Sequence, residues 1–194
     1  MVLNVGCGNS EFSEKMYDDG YKNNYNIDFC KNVIKDMKEH TKDRKGMVFE
    51  QMDVKNMTYK DEMFDLIIDK STIDSLLCGE SSFMNVATMT KEISRVLKTG
   101  GYYVIISYGS PEDRMPHLER EHLAFEINIY TIKQQAGEDG EGNQKPHYVY
   151  ICKKLENANE NLKNYDLVYK DLEQEELEYE DEEEEGEDQK DEEQ

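Results

Sequence analysis

Val2-Leu3-Asn4-Val5-Gly6-Cys7-Gly8-Asn9-Ser10 is the stretch that decides the fold class. A mostly apolar run enters a Gly-X-Gly turn, and a helix-like pattern follows it. This is how a nucleotide-binding α/β arrangement begins. Glycine tolerates positive φ and leaves room for ligand atoms against the main chain. The N-terminus of the next helix offers free N–H groups to a carboxylate or phosphate. The dinucleotide form of the motif is not met, because Glu11 stands where its third glycine would be. The Gly-Lys-Ser/Thr of a P-loop is absent as well.

Working outward, strand-like and helix-like segments alternate. Residues 1–5, 24–28, 47–52 and 64–69 read as strands, and residues 102–108 as a fifth. Helices are expected over 11–19, 31–40 and 83–97. The first has Phe12 and Met16 on one face, Ser10 as N-cap and Gly20 just past its end. The third is expected to stop at Gly100-Gly101. Leu66-Ile67-Ile68 looks buried on both faces, as parallel strands are. After Tyr108 the pattern changes, and residues 124–133 and 147–154 form two strands around a glycine-bearing loop, 134–146. The expected fold is therefore α/β: a Rossmann-like, doubly wound, mostly parallel sheet ending in an antiparallel hairpin.

The chain has 194 residues and a net charge of -21. Residues 171–194 hold sixteen Asp or Glu against one Lys, so this tail carries most of the excess. Such a run cannot bury enough apolar surface to fold alone. Three regions are expected: a domain over 1–155, a short helix or linker over 156–170, and a disordered acidic tail over 171–194. Ala158, Leu162, Tyr165, Tyr169 and Leu172 fall three or four apart in and just beyond the middle region, as on one face of a helix. No apolar run has the ~20 residues of a membrane span, and no signal peptide is visible. Cys7, Cys30, Cys78 and Cys152 are scattered, so they read as reduced thiols of a cytoplasmic protein, and no metal site is expected. Basic patches interleaved with aromatics are absent, which argues against direct nucleic-acid binding. His117 and His122 are five apart, off the spacing of a helical metal pair, and read as solvated surface.

The candidate site residues lie at successive strand ends, where open α/β sheets bind ligands. Gly6, Cys7, Gly8, Asn9 and Ser10 close the first strand. Asp28, followed by Phe29, ends the second, and a carboxylate there can accept from both ribose hydroxyls. Asp53 ends the third, where it can accept from an adenine amino group while the Val54 N–H reaches a ring nitrogen. The loop Asp69-Lys70-Ser71-Thr72-Ile73-Asp74 follows the fourth strand and faces the reacting end of the ligand.

Glycine loop, acid, acid and polar loop together resemble the class I S-adenosylmethionine-dependent methyltransferases, over roughly residues 1–155. The motifs Met52-Asp53-Val54, Ser71-Thr72-Ile73-Asp74-Ser75-Leu76-Leu77 and Glu92-Ile93-Ser94-Arg95-Val96-Leu97-Lys98 look like one subgroup. That subgroup is the lysine methyltransferases of translation elongation factor 1-alpha, including the endothelin-converting-enzyme-associated methyltransferase domain. The resemblance implies S-adenosyl-L-methionine as cofactor and a protein substrate or basic protein partner. It places the methionine part of the cofactor at the glycine loop, ribose at Asp28 and adenine at Asp53. Asp69, Lys70, Thr72 and Asp74 are the candidates for catalysis. The subgroup carries glycine where this chain has Ser71, which is expected to narrow the pocket. The family also has an aromatic-rich N-terminal segment ahead of the first strand, whereas this sequence opens inside that strand. On that ground a second reading stays open, a weak or inactive binding module in a protein complex; a third, a small-molecule methyltransferase, shares the cofactor site and differs only in the acceptor. The oligomeric state is left open.

Overall fold

In the computed structural model, which describes residues 1–132, 146–156 and 158, the glycine turn joins β1 (Val2–Val5) to α1 (Phe12–Asp18). Then come β2 (Asn24–Asp28), α2 (Lys31–His40), β3 (Met47–Gln51) and β4 (Phe64–Lys70). Helices α3 (Thr72–Leu77) and α4 (Ser82–Val96) lead into β5 (Leu97–Ser107). Helix α5 (Pro111–Leu118) and a 3-10 turn, Glu121–Leu123, precede the hairpin of β6 (Phe125–Ile132) and β7 (His147–Lys154). The sheet order is β3-β2-β1-β4-β5-β7-β6. Strands β1 to β5 pair in parallel, and β7 runs antiparallel to both β5 and β6. The expected sheet and its closing hairpin are thus present. The order reverses at β1 and β4, so the glycine turn sits at the topological switch point.

One sheet face carries the main core. Leu3, Val5, Ile27, Ile67, Tyr103, Ile105 and Tyr150 pack there against Ile73, Val86, Met89 and Ile93 of α3 and α4. The opposite face is polar under α1. Asn4 Nδ2 donates to Asn24 Oδ1 and Asn26 Oδ1, both at 2.9 Å, and Asn24 Nδ2 donates to the Ser13 carbonyl at 3.0 Å. Three strand residues that look solvent-facing in sequence are therefore buried side by side.

Four local expectations are corrected. The α1 face that is buried holds Ser13 and Glu14, while Phe12 and Met16 are only half-buried; Glu14 accepts from Arg44, which draws it inward. Gly100-Gly101 does not end a helix but lies inside β5, where the register slips between Phe64 and Leu66. A Cβ on Gly101 would come within 3.0 Å of the Asp65 carbonyl, so the bulge needs glycine. Leu66 is half-buried, unlike Ile67 and Ile68. The histidines are not solvated: His122 is buried, and His117 is half-buried with its ring 4.9 Å from that of Phe83. Desolvation first, then Arg120, pulls both down to about 4. Helix α5, which sequence periodicity did not reveal, carries both Pro116 and His117. The expected loop at 134–146 lies mostly outside the described residues, as do the segment 159–170 and the tail.

Candidate functional site

Both glycines of the turn take left-handed backbone, Gly6 at φ 57° and Gly8 at φ 54°. They do so for different reasons. A Cβ on Gly6 would lie 2.1 Å from Thr72 Oγ1, whose hydroxyl donates to the Val5 carbonyl at 2.9 Å. Gly6 therefore lets α3 close onto the end of β1. A Cβ on Gly8 would meet nothing within 4 Å, so that side of the turn is open. Cys7 turns the other way, against the α2 cluster of Ile34, Met37 and Phe49. Desolvation, with Asp28 adding to it, pushes its thiol up to about 12, so it is no nucleophile.

Asp28 locks the turn. Its Oδ2 accepts from the Gly8 N–H at 3.0 Å and its Oδ1 from the Cys30 N–H at 2.8 Å. A carboxylate has about four lone-pair sites, so two remain for a diol. Asp53 is exposed and uses one oxygen to accept from the Lys55 N–H at 2.9 Å. Its other oxygen is available. Between these acids, Phe29 stands 80% exposed.

These groups line one cavity of about 570 Å³, bounded by Gly6, Asp28, Phe29, Met52, Asp53 and Val54 on one side. Lys55, Lys70, Ser71, Thr72, Ser75 and Leu76 close the other. A smaller space of about 160 Å³ lies beside the turn, where Cys7, Gly8, Asn9 and Ser10 meet Asn4, Phe12 and Lys70. The cavity thus gathers acceptors suited to a ribose and an adenine, with apolar flanks on Phe29, Met52, Val54 and Leu76. These residue types fit an adenosyl group.

The polar loop read in the sequence after β4 is tied down by internal bonds. Asp69 is fully buried. It accepts from the Thr72 N–H at 2.7 Å, from the Ile73 N–H at 3.2 Å and from the Tyr103 hydroxyl at 2.9 Å. Burial raises its pKa to about 6 against the pull of those donors. It is the cap of α3. Asp74 accepts from Arg114 Nη2 at 2.7 Å and from the Ser107 hydroxyl, and Arg114 Nε also donates to Ser107 Oγ at 3.0 Å. Lys70 is exposed on the rim, and Ser71 holds left-handed backbone at φ 66°.

Sequence reasoning left out Lys55, Ser75 and Leu76 as lining residues, and Tyr103 and Arg114 as the partners of the two acids. Arg114 had a readable signal. Ser110-Pro111-Glu112-Asp113 is a capping box with proline at the first turn, and the Ser110 and Asp113 side chains bond each other's backbone N–H as that motif requires. Among the described residues no His, Cys, Asp or Glu cluster could hold a metal ion, and no helix is long and apolar enough to cross a membrane.

Comparison with known proteins matches residues 1–185 to a family described as a methyltransferase domain. The human "eEF1A lysine and N-terminal methyltransferase" is 44% identical over 161 residues, which cover 79% of this chain and 23% of that protein. The chain thus spans less than a quarter of that relative's length. A solved S-adenosylmethionine-dependent methyltransferase from Methanosarcina mazei superposes with a TM-score of 0.64 at 18% identity, covering 79% of this chain and 92% of the other. The N-methyltransferase NodS from Bradyrhizobium japonicum, solved with S-adenosyl-L-homocysteine, gives 0.62 at 18%, covering 79% and 76%.

Proposed function

This chain belongs to the methyltransferase-domain family, and on that premise we propose that it transfers the methyl group of S-adenosyl-L-methionine to a lysine of a protein substrate. The observation that carries the cofactor assignment is the pair of strand-end acids with spare acceptor sites, Asp28 and Asp53, on one cavity with Phe29. Asp28 orients the ribose and Asp53 the adenine amino group, while Phe29, Met52, Val54 and Leu76 exclude water from the ring. The bound sulfonium supplies an already activated methyl group, so alignment of the nucleophile is the main task left to the protein.

The acceptor amine must be neutral to attack. At the β4 end Asp69 is buried in a helix cap and Asp74 is held by Arg114, so neither stands ready as a base. Desolvation on entering the cavity lowers the amine's pKa, and solvent takes the proton at the rim. Lys70 and Thr72 act here by position: Thr72 fixes the glycine turn, and Lys70 sets the charge of the rim. A lysine of translation elongation factor 1A is the proposed acceptor, since the human relative is named for eEF1A. The unpaired state of Cys7, Cys30, Cys78 and Cys152 supports a reducing, cytoplasmic setting.

The test has two stages. Calorimetry with S-adenosyl-L-methionine should show binding to the full chain. Purified elongation factor should then gain radiolabelled methyl from the cofactor, mapped to lysine side chains. Absence of binding would defeat the cofactor assignment. Binding with label on the factor's N-terminal amine, or on no protein, would defeat the lysine assignment alone.

A further inference from the structure

Between β3 and β4 the chain runs through twelve residues, 52–63, without helix or strand. This segment supplies Met52, Asp53, Val54 and Lys55 to the cavity. Asp53 is exposed, so its carboxylate takes its direction from whatever holds the backbone beneath it. Ordering a loop at the moment of binding costs affinity, and a site gains where its acceptors are fixed in advance.

The near end of the segment is fixed at β2, where the Met52 N–H donates to the Asp28 carbonyl at 3.0 Å. Residues 53–56 then close a turn on themselves. The Lys55 N–H donates to Asp53 Oδ1 at 2.9 Å, and the Asn56 N–H donates to the Asp53 carbonyl at 3.0 Å. The turn moves as one unit, and the residue that follows decides whether it moves at all. Met57 is buried in the main core, and α4 engages both of its backbone groups. Its N–H donates to Glu92 Oε2 at 2.8 Å, and its carbonyl accepts from Arg95 Nη2 at 2.8 Å.

Glu92 and Arg95 lie three apart on a half-buried face of α4, while Ile93 and Val96 are fully buried on its core side. An ion pair at that spacing adds little to a helix by itself. Here it carries a loop. All five N–H donors of the Arg95 guanidinium are engaged. Nε and Nη2 each donate to Glu92 at 2.7 Å, which sets the plane of the group. The other three go to the segment: to the Met57 carbonyl, to the Tyr59 carbonyl at 2.8 Å and to Asp61 Oδ1 at 2.7 Å. The end of α4 that bears this pair is anchored in turn. The fully buried Lys154 ammonium donates to the Ser94 and Leu97 carbonyls at 2.7 and 2.8 Å. Neither Glu92 nor Arg95 lines the cavity, so both act on it through the backbone of the segment.

We propose that Glu92 and Arg95 are positioning residues of the cofactor site. By clamping Met57 they fix the turn 53–56 and hold the Asp53 carboxylate where the adenine amino group meets it. This rests on the reading of Asp53 as the adenine acceptor. A lysine at position 95 keeps the charge but lacks the planar fork that reaches Glu92, two carbonyls and Asp61 together.

Arg95→Lys in the full chain tests the clamp, first without ligand and then with it. Hydrogen exchange at the Lys55, Asn56 and Met57 amides should run about tenfold faster than in the parent, with the amides of β1 and β4 unchanged. Unchanged rates at the turn would overturn the clamp. Faster exchange throughout the sheet would do so too, since it marks a general loss of stability. Calorimetry with S-adenosyl-L-methionine should then show binding weakened about fivefold, the worth of one well-placed hydrogen bond. In an Asp53→Ala background the same substitution should weaken binding only about twofold, because the group it positions is gone. In an Asp28→Ala background it should keep its effect of about fivefold. A full effect without Asp53, or unchanged affinity despite faster exchange at the turn, would overturn the positioning role. Absence of binding by the parent chain would defeat the cofactor assignment and the positioning role with it, while the exchange rates still decide the clamp.

Discussion

Two acids stand near each end of the cavity, at or a few residues past the carboxyl end of a strand, and the two pairs are used in opposite ways. At the β2–β3 end, Asp28 and Asp53 accept only from nearby backbone N–H groups and keep lone pairs turned to the cavity. At the β4 end, Asp69 and Asp74 are consumed by the protein: one caps α3 and binds Tyr103, the other pairs with Arg114. Strand-end position therefore nominates an acid, but the count of internal donors decides whether it can serve a ligand. Ligand affinity should respond at the first end and stability at the second.

The largest effect belongs to Asp69. Replacing it by Ala leaves two backbone N–H groups and the Tyr103 hydroxyl without their acceptor, in a fully buried place. Urea denaturation should show a loss of about 3 kcal/mol. The acid also has a pH signature. Its pKa is about 6 in the fold and ~3.9 in an unfolded chain. Between those values the folded state holds a proton that the unfolded chain has released, so the contribution to stability falls as pH rises from about 4 to 6. Relative to Asp69→Asn, the parent protein should lose up to roughly 3 kcal/mol across that window. A flat difference curve would mean that Asp69 is not buried as described.

The glycine turn joins the two ends, and its glycines separate their roles. Gly6→Ala must push Thr72 away from β1, whereas Gly8→Ala meets open space. The first should cost about 2–4 kcal/mol through overpacking and strain together, the second about 1 kcal/mol from left-handed backbone alone. Equal losses in thermal unfolding would erase the distinction.

Asp28→Ala and Asp53→Ala probe the ligand end directly. Asp28 offers two free sites to a diol and holds the turn, so its loss should weaken S-adenosyl-L-methionine binding about 30- to 100-fold by calorimetry. Asp53 is exposed and contributes one oxygen, so a few-fold loss is expected, with stability changed by less than ~0.5 kcal/mol. If Asp69→Asn weakened binding as much as Asp28→Ala, the contrast between the two ends would fail.

The first end was far more legible in the sequence than the second. Gly6, Gly8, Asp28 and Asp53 act through local geometry: a turn, and acids that bond backbone within two residues or directly across the turn. Asp69 bonds locally to the Thr72 and Ile73 N–H groups, but its third partner, Tyr103, and the partner of Asp74, Arg114, lie thirty-four and forty residues away. Nothing local to β4 reveals those partners, and Arg114 sits on a short helix that Pro116 disguises. The sheet was legible from its alternation, including the hairpin. The buried Asn4, Asn24 and Asn26 were not, because asparagines that bond one another across strands leave a solvent-like pattern.

Ser71 offers the smallest effect and the finest test. Glycine suits this position better than serine, and the structure gives the reason. Ser71 sits at φ 66°, between the last residue of β4 and the first of α3, with its N–H bonded to the Ile106 carbonyl at 3.0 Å and its own carbonyl accepting from Ser75. Both bonds use the backbone alone, so glycine can make them without the steric cost of a Cβ in left-handed conformation. Glycine loses more entropy on folding, which offsets part of the gain. Ser71→Gly should therefore stabilise the protein by about 0.5–1 kcal/mol in urea. Because Ser71 also lines the cavity, the substitution enlarges the rim between the two ends. A gain in stability with unchanged cofactor affinity would place Ser71 with the structural acids of the β4 end. A change in affinity without a gain in stability would move it to the ligand's side of the comparison.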